Sequence, residues 1–100
     1  MRYDTSIYFQ KIEHGEYNSK TGDYEEDEVN NDRRMASVTG TKTEIMKLVY
    51  GSIKQGSLTI QIQNHYNNDF DYILINNKKY AVDSFRKLRT KEIFIVSEVQ

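Results

Sequence analysis

The run Leu58-Thr59-Ile60-Gln61-Ile62-Gln63 constrains this chain more than any other stretch. Aliphatic side chains occupy every second position, and successive side chains of a strand point to opposite faces. The segment is therefore an antiparallel strand with one apolar and one wet face. Burying its three aliphatics would contribute roughly 1.5–3 kcal/mol each. The residues before it predict a short helix. Thr41 is placed as N-cap, and Glu44, three residues on, completes a capping box. Ile45, Leu48 and Val49 then fall at i, i+3 and i+4, an apolar stripe expected to face a core. Gly51 stops the helix, and Lys54-Gln55-Gly56 turns the chain into the strand.

The same alternation marks a first strand, where Tyr3, Thr5, Ile7 and Phe9 share one face. Residues 14–34 are the most polar part of the chain. Asn18 to Asp23 is a turn cluster in which Gly22 is free to take positive φ, and Tyr17 and Tyr24 flank it so as to pair across a hairpin. Glu25 to Glu28 is an acidic block with nothing apolar to anchor it, so a flexible acidic loop is expected over about 15–33. Met35 to Val38 returns the chain to the sheet. Tyr72 to Ile75 is apolar on both faces, as expected of a strand covered on both sides. Asn76-Asn77 makes a tight turn into a return strand at Lys79 to Val82. Ser84 to Lys91 reads as a basic loop or bent strand end, and Glu92 to Val99 as a last strand in a central position. The expected fold is mainly β: a single domain, a small antiparallel barrel or sandwich of five to six strands, with one short α-helix and a long polar loop.

Charge is unevenly placed. Residues 1–40 hold nine acids and five bases, and residues 41–100 hold six acids and nine bases. Two such regions either stack head to tail, with copies or with a charged neighbour, or form two solvated faces. The absence of cysteine rules out disulfides and thiolate metal sites and favours an intracellular origin. No apolar run approaches the roughly 18 residues of a membrane span, and the N-terminus lacks a signal-peptide core. His14 and His65 read as surface residues with no triad or metal spacing. Asp69 and Asp71 read as a loop-to-strand cap rather than a cation loop. Gly51-Ser52 and Gly56-Ser57 are too sparse for a phosphate loop. No cofactor or metal is expected, and nothing argues for catalysis. Eight tyrosines with Arg86, Lys87, Arg89 and Lys91 allow one alternative, an OB-like barrel that stacks single-stranded nucleic acid. Against it, the basic cluster is short and the chain is net acidic.

One resemblance covers nearly the whole chain. It rests on the opening YDTSIYF, TGDY at 21–24, ASVTG at 36–40, the T-x-T-E start at 41–44, YGSIKQGSLTIQIQNH at 50–65, NNKKYAV at 76–82 and the closing FIVSEV at 94–99. In these the chain resembles the small head-closure and head–tail joining (minor capsid) proteins of tailed phages of Gram-positive hosts. The resemblance implies a non-enzymatic virion protein of the neck, made in the host cytoplasm. It would form a homo-oligomeric ring below the portal and adaptor; in dilute solution a monomer is expected from the residues themselves, since no sustained apolar surface stripe forces self-association. It would help retain packaged DNA without reading its sequence, receive tail-completion proteins, and contact no membrane. By position, Tyr17, Tyr24, Glu25, Glu26, Asp27 and Glu28 would form a loop interface that repels DNA, and Arg86, Lys87, Arg89 and Lys91 a basic one that meets an acidic neighbour.

Overall fold

A computed structural model describes the chain except for residues 1, 16, 25, 26, 53–55 and 100, and except for the side chains of residues 18 and 24. In chain order the elements are β1 (Thr5–Glu13), β2 (Tyr17–Asn18), β3 (Asp23–Tyr24), β4 (Glu28–Gly40), α1 (Thr43–Tyr50), β5 (Leu58–Gln63), β6 (Tyr72–Ile75), β7 (Lys78–Lys87) and β8 (Lys91–Glu98). Six of the strands close into a barrel in the order β1-β4-β5-β8-β7-β6, and β2 and β3 form a separate two-stranded ribbon. Every neighbouring pair in the barrel is antiparallel. Closure leaves the barrel body without a free edge, and the inward side chains fill its interior.

The alternation in the sequence sets which side chains those are. Ile7 and Phe9 of β1, Ile60 and Ile62 of β5, Ile73 and Ile75 of β6, and Phe94 and Val96 of β8 are all buried in one core. Asn76 and Asn77 take φ of 50° and 64°, so a two-residue primed turn joins β6 to β7 in register with Ile75 opposite Lys78. A bulge between Val82 and Ser84 bends β7 against β8.

Four expectations change. The helix begins at Thr43 with Lys42 in the N-cap position, and no side chain caps it. Thr41 is instead a last rung of the β4–β5 ladder, its N–H donating to the Ser57 carbonyl at 3.2 Å. Its hydroxyl bonds the Ser57 hydroxyl at 2.8 Å and accepts from Thr59 at 3.1 Å. The capping box with Glu44 is therefore not formed, because the sheet has taken both groups it needs. Gly51 does end the helix, at φ 73° with its N–H on the Lys47 carbonyl. The Lys54-Gln55-Gly56 turn falls mostly outside the described residues.

The apolar stripe of α1 does not enter the core. None of the helical residues is buried, and Leu48 is 86% exposed. A six-stranded barrel has no interior left for a helix, so α1 lies outside, with Ile45 and Val49 beside Ile93 and Ile95 of β8. Tyr50 pins its last turn by donating to Asp83 Oδ2 at 2.5 Å. Burial first, and then this bond to a carboxylate, push the Tyr50 hydroxyl pKa up. For the same reason β6 is not covered on both sides: Tyr72 and Leu74 lie on the outer wall, half-buried.

The polar stretch read as a loop over 15–33 contains β2, β3 and the first six residues of β4. β1 and β4 pair continuously from Thr5↔Ala36 to Glu13↔Glu28, whereas β6 meets β1 only up to Gln10 and β5 meets β4 only from Ala36. Beyond those points the two strands continue as a two-stranded arm. The protein is accordingly elongated, 55 by 29 by 24 Å.

Candidate interaction end of the barrel

Because every neighbour is antiparallel, strand directions alternate around the barrel. The end of β1, the start of β4, the end of β5, the start of β6, the end of β7 and the start of β8 therefore meet at one rim. Three connections leave that rim: the arm, whose strands β1 and β4 are joined through 14–27, the 64–71 loop and the 88–90 turn. The helix, the Asn76-Asn77 turn and both termini belong to the opposite end. The acidic arm and the basic segment, far apart in sequence, thus leave the barrel together. They are not opposite poles, and head-to-tail stacking would separate them.

The 64–71 loop ties the other two down. Asn64 N–H donates to the Thr90 carbonyl at 2.7 Å, and the His65 Nε2 N–H donates to the Leu88 carbonyl. His65 is half-buried by this contact, so it is not the surface residue its loop position suggested. On the arm side, Asp71 N–H donates to the Gln10 carbonyl and its Oδ2 accepts the Ile12 N–H, both at 2.7 Å. Lys11 Nζ stands 3.6 Å from Oδ1. The Ile12 N–H, above all, holds the Asp71 carboxyl below its ordinary value, and the Lys11 ammonium adds to this. Asp71 caps a strand as expected, but the strand is β1.

Between these ties the loop plugs the barrel. Tyr66 stacks on Phe9 with ring centroids 3.8 Å apart and planes 10° from parallel. Phe70 meets Phe9 edge-on at 4.9 Å, and Phe94 closes the cluster from below. Arg34 lies 5.4 Å from the Tyr66 ring centroid on the other side. Burial, and then the facing Asp32 carboxylate, raise the Tyr66 hydroxyl pKa. Under the same loop sits Glu92, 2% exposed, with Oε1 accepting the Tyr66 N–H at 2.9 Å. Of these residues the sequence marked Phe9 as an inner-face position, but none as part of a site. Glu92 had a legible signal: it shares the inward parity of Phe94 and Val96.

The residues expected at the arm interface are unequal. Tyr17 is exposed on β2, and its backbone pairs with that of Tyr24 around Gly22 at φ 77°. The Tyr24 side chain, Glu25 and Glu26 lie outside the described residues. Asp27 is committed internally, since Oδ1 accepts the Gly15 N–H at 2.9 Å and Oδ2 meets His14 Nδ1 at 3.3 Å. Those two contacts, the Gly15 N–H first, lower the Asp27 pKa. Glu28 is exposed in β4 directly opposite Glu13, and like charges facing across a ladder repel. The arm therefore gains from a cation nearby.

Among the basic residues, Arg86 and Lys87 end β7, Arg89 is in the turn and Lys91 opens β8. Arg86, Lys87 and Arg89 are exposed, Lys91 half-buried. Lys87 reaches Asn67 Oδ1 at 3.3 Å, and among the described residues no ion pair engages the other three. The same rim therefore carries an acidic projection and, across the 64–71 loop, a basic turn whose Arg86, Arg89 and Lys91 make no ion pair among the described residues.

No family model matches the chain, and neither curated proteins nor solved structures give a match to it.

Proposed function

We propose that this chain is a structural subunit of a phage neck, a head-closure or head–tail joining protein that works as a ring. The observation carrying this reading is the shared rim: the acidic arm and the basic turn leave the same end of one barrel. Subunits set side by side place the arm of one against the cations of the next. That contact relieves the Glu13–Glu28 repulsion and pairs Arg86 and Arg89. The sequence resemblance supports the same assignment, and with it a non-enzymatic role in the virion below the portal and adaptor. In this reading the arm is the element that docks against neighbours, and its acidity keeps it off packaged DNA.

The test is charge reversal, R86E/K87E/R89E, in the full chain. Assembly on purified portal–adaptor complexes should be lost, with the circular-dichroism spectrum and Tm of the monomer retained. Undiminished assembly refutes the assignment of the basic turn. A gel shift with single-stranded DNA separates the alternative class: tight binding that weakens steeply with salt marks a nucleic-acid-binding barrel instead.

A further inference from the structure

A cleft of about 510 Å³ opens the barrel wall between β7 and the 64–71 loop. It exists because β6 holds β7 only from Ile73↔Tyr80 to Ile75↔Lys78, and because the bulge at Val82/Ser84 then carries β7 away. The floor is Glu92 and Phe94, and the walls include Phe70, Val82 and Phe85. Phe85 pairs with Phe94 in register, so it stands on this inner side of β7, yet it is 63% exposed. An apolar ring turned toward the inside of a barrel and left in solvent is an unfilled position.

Charge decides what fills it. Glu92 is 2% exposed, and a buried carboxylate is costly unless it is paired and hydrogen-bonded. One oxygen takes the Tyr66 N–H, and no other hydrogen bond or ion pair reaches Glu92 among the described residues. Lys87 lies directly opposite Glu92 across the β7–β8 ladder, but its ammonium is turned to Asn67. Asp69 adds a second carboxylate residue to the lining, while Asp71, also at its edge, is already paired with Lys11 and the Ile12 N–H. Two carboxylates against one ammonium turned elsewhere disfavour an anion, and the aromatic walls disfavour a hydrated inorganic ion.

We propose that this cleft binds an organic cation, an ammonium or guanidinium group on a short apolar stem. The charge pairs with the free side of Glu92, and the stem packs against Phe70, Phe94 and Phe85. The volume suits such a ligand, since small-molecule sites run from about 300 to 1,000 Å³. The cation comes either from a free amine or from an arginine or lysine side chain of another protein, and the chemistry read is the same. The proposal does not depend on the neck reading: the cleft is intact in the isolated subunit, and its test involves no assembly.

Amide chemical shifts of the full chain, titrated with phenethylamine, test it. The expected result is saturable shifts at Tyr66, Glu92 and Phe94, with 2-phenylethanol, the neutral analogue, far weaker. Glu92→Gln should weaken phenethylamine by about tenfold or more, the worth of a buried charge-assisted bond. Phe85→Ala should weaken it severalfold, and Lys87→Met should leave it unchanged or tighter. A parallel titration with N-acetyl-arginine amide identifies the source: tighter arginine binding points to a protein side chain, tighter phenethylamine binding to a free amine. Binding of neither probe overturns the proposal. So do equal affinity for 2-phenylethanol, shifts elsewhere, or undiminished affinity in Glu92→Gln. Should Glu92→Gln fail to fold, Phe85→Ala decides alone, because its side chain is mostly in solvent; unchanged affinity there is equally a refutation.

Discussion

Consider truncating Phe9 to alanine. Its side chain is 1% exposed and is the hub of the plug, stacked on Tyr66 at 3.8 Å and edge-on to Phe70 and Phe94 at 4.9 and 5.6 Å. Removing the ring leaves a cavity, and the surrounding strands are held by their ladders and cannot collapse into it. A phenylalanine deleted from such a site costs about 3–5 kcal/mol. Aromatic pairing contributes about 0.5–1.5 kcal/mol per pair beyond burial, which places Phe9→Ala toward the upper end. Domains of this size hold only about 5–15 kcal/mol in total, so the variant should be visibly marginal. Urea unfolding followed by circular dichroism measures this directly, with the slope expected to be unchanged and the midpoint shifted. Phe9→Leu keeps much of the volume but no ring and should fall between wild type and Phe9→Ala. Leu48→Ala is the control: at 86% exposure it should change stability by no more than about 0.5 kcal/mol. If Phe9→Ala costs less than about 2 kcal/mol, or less than Leu48→Ala, the core is not where the argument puts it.

Acid should loosen the arm before the barrel. Asp27 and Asp71 have lowered pKa values in the folded chain, so their anchoring is present above the ordinary carboxylate value of about 3.9 and is lost as pH falls through the lowered ones. Amide protection factors, corrected for the intrinsic rate, should fall at Gly15 and Ile12 below about pH 4 while Val96 stays protected, and equal protection at all three would contradict the account. Glu28→Lys should convert the repulsive pair with Glu13 into an attractive one, raising stability by about 0.2–1 kcal/mol, toward the low end at an exposed site. A lower Tm would show that the two carboxylates do not face each other.

Much of the barrel was legible from residue order because strand alternation is a local property. Leu58, Ile60 and Ile62, or Ile7 and Phe9, announce an inner face whatever the rest of the chain does. The Asn76-Asn77 turn and the Gly51 stop were equally legible, since each depends on what its own backbone tolerates. Closure was not local. Whether β6 has one covered face or two, and whether the stripe on α1 enters the core, depends on how many strands share the interior, and only the closed sheet decides that. Thr41 shows the same limit on a smaller scale: its hydroxyl suits a helix cap, but the neighbouring strand offers the Ser57 and Thr59 hydroxyls and the Ser57 carbonyl, and the sheet wins. Residues 28–33 looked like loop because a two-stranded arm has no core to mark it; its pairing comes from β1 growing past the barrel. The site divides along the same line. Residue order picked out the acidic stretch and the basic stretch as separate charges. Antiparallel closure brought them to one rim, set the 64–71 loop between them, and buried Glu92 beneath it, because strand direction around a closed sheet fixes which connections become neighbours.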